Sequence, residues 1–171
     1  MGSAVRESTT GLSPEHIGAL GDSAVEVEIV ERSVEAPGIV SLRLRAHGGP
    51  LPEWRRGCHI DVATPFGSRQ YSLCGDRDEI GDWRIAVLDE PAGSGGSRWL
   101  HEHALPSSSL WVGMPRDTFG YRGGGETLLI AGGVGILTIS PTPLAPYGPV
   151  DTGCSTTMDL ISGVRAMPGM R

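Results

Sequence analysis

The sequence predicts a mainly β domain made of short antiparallel strands. Apolar residues alternate with glutamate over residues 25–29 and with arginine over residues 42–45, and each pattern is typical of a half-buried strand. Pro37 and Gly38 lie between the two stretches and favour a tight turn. An antiparallel hairpin is therefore predicted at the start of the domain.

Four further stretches have the composition of short strands, and they follow at intervals of about ten to fifteen residues. They are residues 59–62, 69–74, 83–88 and 110–112. Closure removes the exposed strand edges that promote aggregation. Six strands of this kind therefore favour a closed antiparallel barrel or a sandwich.

The composition is that of an acidic, soluble domain. The chain has 171 residues, of which 39% are hydrophobic and 20% are charged, and its net charge is −6. This length accommodates one domain, or one domain and a fragment of a second. The negative charge argues against nucleic acid as a partner. No apolar run is long enough for a signal core or a membrane span, so a cytoplasmic location is expected.

The residue types restrict the chemistry. The chain has 14 arginines and no lysine. Arginine is therefore the only side chain with a fixed positive charge that is available for binding anions. Cys58, Cys74 and Cys154 form no Cys-x-x-Cys pair and no cluster with histidine. Free buried thiols are expected, and no metal site is predicted. His101 and His103 would face different sides of a helix, which also disfavours a metal site.

The chain divides into three predicted segments. Residues 1–22 are small and polar and are expected to form a disordered leader. Residues 23–124 contain the six predicted strands of the barrel. Residues 125–171 begin with an apolar strand and continue into a tail rich in proline, glycine and serine, which has no clear helix or strand period.

The fourth predicted strand combines a cation, an aromatic ring and hydroxyl groups. Alternation places Arg69, Tyr71 and Leu73 on one face, with Gln70 and Ser72 on the other. A guanidinium suits a phosphate, and Tyr71 offers a flat ring at the same surface. This face suits a ligand with a phosphate at one end and a ring at the other. The alternative is an ordinary barrel strand, with Tyr71 in the core and the Arg69 head group in solvent.

A glycine-rich loop precedes the only predicted helix of the barrel. Gly95 and Gly96 are followed by Ser97, which is a good helix cap, and the helix is expected to begin at Ser97 and to stop at Pro106. Glycine amides and a helix start together form a plausible anion site. The alternative is a flexible connection ahead of a capped helix.

A second glycine cluster follows a continuous apolar run. Residues 128–131 lead into Gly132, Gly133 and Gly135, an arrangement typical of a buried parallel strand that meets a nucleotide or a closely packed helix. The spacing lacks the complete Gly-x-Gly-x-x-Gly pattern, so its order after the barrel carries more information than the motif itself.

Taken in order, these motifs resemble the ferredoxin-reductase superfamily, and most closely its branch of phthalate dioxygenase reductase and vanillate demethylase reductase. The resemblance covers about residues 24–136. It is carried by His59-Ile60-Asp61-Val62, Arg69-Gln70-Tyr71-Ser72-Leu73-Cys74-Gly75, Arg84-Ile85-Ala86-Val87-Leu88, Gly95-Gly96-Ser97 and Leu129-Ile130-Ala131-Gly132-Gly133-Val134-Gly135.

The resemblance implies a six-stranded antiparallel Greek-key barrel that binds a flavin and has one capping helix, followed by a fragment of an α/β nicotinamide-binding domain. FMN is the implied cofactor, with FAD as the alternative, and NAD(P)H is the implied substrate. The implied function is that of a reductase component, which passes electrons to an iron–sulfur centre of an oxygenase system. An oxygenase or a ferredoxin-type protein is the implied acceptor. This flavin chemistry requires no metal in this chain.

The resemblance also implies roles for individual residues. Arg69 would pair with the flavin phosphate, Tyr71 would lie against the isoalloxazine, and Ser72 would address the ring near N5. Gln70 belongs to the same strand motif. Gly95, Gly96 and Ser97 would close on the phosphate, whereas Gly132, Gly133 and Gly135 would meet the nicotinamide nucleotide.

Departures from the family pattern define the alternatives. Ser94 stands where the branch often has arginine, so weaker phosphate binding is expected, and residues 135–138 depart from the usual Gly-Ile-Thr-Pro turn. We therefore expect a coding sequence that is truncated or out of frame after about residue 137, with a disordered tail. The alternative functions are a non-catalytic barrel that binds a flavin or a partner, and an inactive fragment.

Overall fold

The structure is a computed structural model that describes residues 11–55, 57–75 and 80–118. These ranges contain seven β-strands and two helices. The strands are β1 (Val25–Ala36), β2 (Ile39–Ala46), β3 (Cys58–Val62), β4 (Arg69–Cys74), β5 (Asp82–Leu88), β6 (Ser109–Val112) and β7 (Arg116–Asp117), and the helices are α1 (Pro14–Gly18) and α2 (Gly96–His103).

The first six strands close into an antiparallel barrel. The strand order is β4-β5-β2-β1-β6-β3, and pairing of β3 with β4 closes the ring. Strands β3, β4 and β5 pair in sequence, and β5 then pairs with β2. Strands β2 to β5 therefore have the strand order of a Greek key. The mainly β fold and the closed six-stranded barrel predicted from the sequence are therefore confirmed, with a short β7 added at β3.

The first hairpin is longer than the alternation indicated. Strand β1 extends to Ala36, and the two-residue turn at Pro37 and Gly38 joins it to Ile39, the Cα partner of Ala36. Gly38 has a φ of 74°, a backbone conformation that glycine adopts without steric cost. Register shifts after Ile29 and Val34 interrupt the simple alternation, which explains why the sequence pattern marks only part of β1.

The interior of the barrel is apolar. Inward-facing side chains of β1, β2, β3, β4, β5 and β6 form one cluster with two residues of α2, and their exposed fractions are near zero. Its largest fully buried members include Trp83, Ile29, Leu42, Leu44, Ile60, Leu73, Ile85, Leu100 and Leu110. The Trp83 indole N–H donates to the Pro52 carbonyl at 2.9 Å, so the polar edge of this ring is satisfied inside the core.

A short helix lies within the predicted leader. Helix α1 occupies Pro14–Gly18, with proline in its first turn, and the Ser13 amide donates to His16 Nδ1 at 3.1 Å. The expectation of disorder therefore does not describe residues 11–22, because local capping and a proline organise this segment despite its polar composition. Residues 1–10 lie outside the described residues.

The second predicted domain boundary also lies outside the described residues. The last described residue is 118. The predicted boundary at residue 124, and the predicted strand and tail within residues 125–171, therefore lie outside the described residues. The predicted burial of two cysteines is confirmed, since Cys58 and Cys74 are both buried, and no disulfide joins them to each other. Cys154 lies outside the described residues.

Replacing Trp83 by alanine should lower the free energy of unfolding by about 3–5 kcal/mol, because the change leaves a large cavity in the core. Trp83 is 1% exposed, whereas Ile80 is 86% exposed, so Ile80→Ala is a matched control that should leave stability nearly unchanged. Urea denaturation of the two variants measures the difference. Equal stabilities would contradict the position of Trp83 in the core.

Candidate active site

Strand β4 has one fully paired edge and one edge that is largely open. Residues 69–72 pair with residues 59–62 of β3, whereas pairing with β5 is limited to Leu73 and Cys74. On the side of β5, the backbone polar groups of residues 69–72 therefore lie outside the ladder. Buried or half-buried backbone groups need partners, so this edge is suited to a polar ligand or to water.

The two faces of β4 carry different side chains, as the alternation predicts. Leu73 is fully buried in the core, and Tyr71 is half-buried and packs against the same cluster. Gln70 is exposed and lies opposite Asp61 of β3, while Ser72 lies opposite His59. Cross-strand partners share a face, so Gln70 and Ser72 lie on the face away from Tyr71.

Helix α2 begins one residue earlier than predicted. Gly95, with a φ of 95°, is the N-cap and Gly96 is the first helical residue. The prediction that Ser97 caps the helix is therefore wrong. Its hydroxyl accepts a hydrogen bond from the Glu90 amide at 3.2 Å, and the left-handed conformation that turns the chain into the helix falls on a glycine instead.

Helix α2 is fixed to the barrel by its middle residues and by a hydrogen bond to β5. Trp99 and Leu100 are buried in the core, and His101 Nε2 lies 2.9 Å from the Val87 carbonyl of β5. The His103 ring stacks on Trp99 with centroids 5.2 Å apart. His101 and His103 thus have separate structural partners, and within the described ranges no group of histidine, cysteine and carboxylate side chains could hold a metal ion.

Arg69 and the start of α2 meet in the folded structure. A Cβ atom added to Gly96 would lie 2.9 Å from Arg69 Nε and 3.0 Å from Arg69 Cγ, which is closer than real Cβ atoms approach. An alanine at residue 96 would therefore require the Arg69 side chain to shift. This contact brings together two groups that are 27 residues apart in sequence (96 − 69), both predicted to bind an anion.

The Arg69 guanidinium is held in a defined orientation. Its Nη1 donates to the Ser68 carbonyl at 2.7 Å, and its Nη2 donates to the Phe66 carbonyl at 3.0 Å. Nη2 also donates to the hydroxyl of Ser94, in the loop that precedes α2. The Arg69 head group therefore has protein partners in both adjoining loops.

The loop before β4 is shaped by Thr64. The Thr64 hydroxyl is fully buried, donates to the Gly67 carbonyl at 2.6 Å and accepts from the Phe66 amide at 3.2 Å. These bonds place the Phe66 ring against Gly95, whose added Cβ would lie 3.2 Å from it. Sequence reasoning missed Thr64, Phe66 and the bonding role of Ser94. Their turn signal is the Thr-Pro-x-Gly pattern at residues 64–67.

Tyr71 is a neutral phenol at physiological pH. Burial raises the pKa of its hydroxyl to about 12, and the positive charge of Arg69 opposes this shift. The guanidinium is therefore close enough to the phenol to act on it electrostatically. The site therefore offers a cation, a neutral aromatic donor and a helix N-terminus on adjoining elements.

The remaining predicted residues fall outside this description. Gly132, Gly133 and Gly135, the predicted nicotinamide contacts, lie beyond residue 118 and outside the described residues. Among the helices that are described, none combines the length and the apolar character needed to cross a membrane.

Comparison with known proteins identifies several relatives. The chain is 42% identical over 117 residues to a vanillate O-demethylase oxidoreductase of Pseudomonas putida, which covers 67% of this chain and 37% of that protein. The solved structure of phthalate dioxygenase reductase superposes with a TM-score of 0.66 at 31% identity. That protein is described as a modular structure for electron transfer from pyridine nucleotides to a 2Fe–2S centre. That match covers 72% of this chain and 39% of the other.

A third likeness is to the flavohem-like FAD/NAD-binding domain of nitric oxide dioxygenase from Vibrio cholerae O1 biovar El Tor. Its TM-score is 0.59 at 26% identity, with 67% of this chain and 53% of that chain covered. No protein-family model matches the sequence. In the first two comparisons the chain spans less than two-fifths of the length of its relative.

The fold and the site together define a reductase-type antiparallel barrel. The chain belongs to the ferredoxin-reductase-like family that includes vanillate O-demethylase oxidoreductase and phthalate dioxygenase reductase. The family resemblance read from the sequence motifs is confirmed.

The raised pKa of Tyr71 has a measurable consequence. Because the fold favours the protonated phenol, the stability that Tyr71 contributes is present below pH 10 and is lost as the pH rises toward about 12. In an ultraviolet titration, one of the three tyrosines should ionise near pH 12, and Tyr71→Phe should remove that step. Arg69→Ala should move the same step to still higher pH, and ionisation of all three tyrosines near pH 10 would contradict the assignment.

Proposed function

We propose that this chain is the flavin-binding domain of an NAD(P)H-dependent oxidoreductase, the reductase component that passes electrons from flavin to an iron–sulfur centre of an oxygenase system. One observation carries the proposal: the Arg69 side chain packs on Gly96 at the start of α2, next to the half-buried ring of Tyr71. This arrangement supplies a phosphate site and an aromatic surface on adjoining elements.

The phosphate end of the flavin fits the Arg69 side of the site. A guanidinium donates in a planar fork that matches phosphate oxygens, and the first amides of a helix have no partners within the helix. The positive end of the helix dipole adds to the attraction. Arg69, Gly95, Gly96 and Ser97 would hold the phosphate through the guanidinium, the backbone amides and a hydroxyl.

The ring end fits the remainder of β4. An isoalloxazine has a flat apolar surface and a pyrimidine edge with alternating N–H and C=O groups. The ring of Tyr71 offers a packing partner for the flat apolar surface. The open backbone edge of residues 69–72 offers hydrogen-bond partners for the pyrimidine edge. Gln70 and Ser72 belong to this strand, and Ser72 would address the ring near N5 through its backbone or hydroxyl.

FMN is the flavin that we propose, with FAD as the alternative. The described site has a single arginine directly on the start of α2, and one cation beside one helix N-terminus matches a terminal phosphate monoester. When bound, the flavin would supply the redox chemistry, since it can accept one hydride, which carries two electrons, and release these electrons one at a time. This chain's residues bind the flavin, orient it and set the polarity around it, and no side chain needs to act as a general acid or base.

We also propose an electron donor and an electron acceptor. The donor is NAD(P)H, and the acceptor is an oxygenase or a ferredoxin-type protein. The phthalate dioxygenase reductase structure is described as transferring electrons from pyridine nucleotides to a 2Fe–2S centre, which supports both. Gly132, Gly133 and Gly135 are the proposed nicotinamide contacts. The Vibrio cholerae structure is described as binding FAD and NAD, which supports a flavin in this type of domain.

Arg69→Ala should weaken FMN binding roughly ten- to a hundredfold, because a charge-assisted interaction with the phosphate is lost. Arg45→Ala is a matched control, since Arg45 is an exposed arginine that pairs with Asp82 at 2.7 Å on neighbouring strands. Quenching of FMN fluorescence by the flavin-free protein measures both dissociation constants. The same loss of affinity in both variants, or in neither, would contradict the phosphate role of Arg69.

Reduction by the pyridine nucleotide is measured separately from binding. The full chain loaded with FMN is mixed with NADH in the absence of oxygen. Loss of the flavin absorbance, whose usual band lies at about 450 nm, reports electron transfer. Bleaching supports the reductase role. Tight FMN binding without bleaching would favour the non-catalytic flavin-binding barrel.

Gly96→Ala should also weaken FMN binding, because the added methyl group would lie 2.9 Å from Arg69 Nε and must displace the guanidinium. Gly18→Ala in α1 is the control, since its methyl group would meet no atom within 4 Å. The thermal stabilities of both variants are compared with their FMN affinities. If Gly96→Ala binds FMN as tightly as the control, the close approach of Arg69 to the helix is not needed for binding.

A further inference from the structure

His59 is a buried titratable side chain that the proposed function does not use. It lies on β3 and is 9% exposed, between Cys58 and Ile60, whose side chains belong to the core. Among the residues that the structure describes, neither ring nitrogen of His59 forms a hydrogen bond. A buried polar group without a partner lowers stability, so its presence requires an explanation.

Ser72 is the polar side chain directly opposite His59. The two residues are Cα partners on neighbouring antiparallel strands, so their side chains share one face of the sheet. The Cβ atoms of such partners lie roughly 4.5–5.5 Å apart, a separation that a hydrogen bond between an imidazole and a hydroxyl can span. Ser72 is half-buried, and in the described part of the chain its hydroxyl also lacks a hydrogen-bond partner.

The charged groups beside His59 are paired with each other. Arg116 of β7 is the Cα partner of His59 on the other side of β3, and its guanidinium donates to the carboxylate of Asp61. Asp61 lies two residues along β3 on the same face and is also buried. Gln70, the Cα partner of Asp61, carries no charge. Among the described residues of this face, Ser72 is therefore the remaining partner for the imidazole.

We infer that His59 is a positioning residue for Ser72, and that its ring N–H donates to Ser72 Oγ when the flavin is bound. This inference rests on the proposed function, in which Ser72 lies near N5 of the ring. A serine hydroxyl has two lone pairs and one hydrogen. With one lone pair taken by His59, the hydrogen is left for an acceptor at the open edge of β4, which includes Ser72. N5 of an oxidised flavin is such an acceptor, because it has a lone pair and no hydrogen.

His59 acts through geometry rather than through charge. Without the imidazole, Ser72 Oγ can occupy any of its staggered positions, and the hydroxyl hydrogen has no fixed direction. An imidazole donor holds one arrangement before the ligand arrives, which reduces the entropy lost on binding. The imidazole can donate when it is protonated and also when it is neutral in the matching tautomer.

The test compares FMN with 5-deaza-FMN, which has a C–H group in place of N5 and cannot accept the Ser72 hydrogen. Each is added to the full chain freed of flavin, and fluorescence titration gives the dissociation constants. His59→Leu should weaken FMN binding roughly three- to tenfold, as expected for one hydrogen bond, and should leave 5-deaza-FMN binding unchanged. His59→Asn keeps an N–H donor near the position of Nδ1 and should bind FMN like the wild type.

His47→Leu is the matched histidine control. His47 follows β2, and its Nδ1 lies 3.7 Å from Glu28, so both dissociation constants should stay at the wild-type values. If His59→Leu does not fold, His59→Ala replaces it in the same comparison, because alanine removes the imidazole without adding bulk.

The outcomes separate this inference from the proposed function. If the wild type binds FMN and His59→Leu binds it as tightly, the inference is overturned and the proposed function stands. An equal loss of FMN and 5-deaza-FMN affinity would also overturn it, since His59 would then act on the shape of the site. So would FMN binding by His59→Asn that is as weak as that of His59→Leu. If the wild type binds neither FMN nor FAD, the proposed function fails and the inference fails with it.

Discussion

The packing of Arg69 on Gly96 is the constraint on which the rest of the site depends. It joins a strand of the barrel to the first turn of the one helix that covers the barrel in the described structure, and it is possible only because residue 96 has no side chain. The guanidinium is then oriented by two backbone carbonyls and a serine hydroxyl. A fixed cation costs little further ordering when an anion binds, which favours affinity.

The barrel supports this contact from both sides. Strand β4 is held by β3 along residues 69–72 and by β5 only at its end, so one edge of β4 is fixed while the other remains open. Helix α2 is held through Trp99, Leu100 and the bond between His101 and the Val87 carbonyl. These anchors hold the body of the helix, and its first residue, Gly96, is buried against Arg69.

Burial and charge divide the site into two chemical environments. Around Tyr71, burial raises the hydroxyl pKa to about 12, so this end is neutral and suited to a ring. Around Arg69, the guanidinium, the Ser94 hydroxyl and the helix start favour a negative group. The two environments follow each other along a single strand, which is the arrangement that a molecule with a ring and a phosphate requires.

Local sequence pattern determined the β class, the positions of the strands and the shared face of Arg69 and Tyr71, because strand alternation depends only on neighbouring residues. The motif order was specific enough to identify the family. Tertiary structure alone decided that Gly95, not Ser97, caps α2, that Arg69 contacts Gly96 and that Ser94 is its hydrogen-bond partner. The two contacts of Arg69 arise between segments more than twenty residues apart, whose approach is set by barrel closure and core packing, and no local period of the sequence encodes that approach.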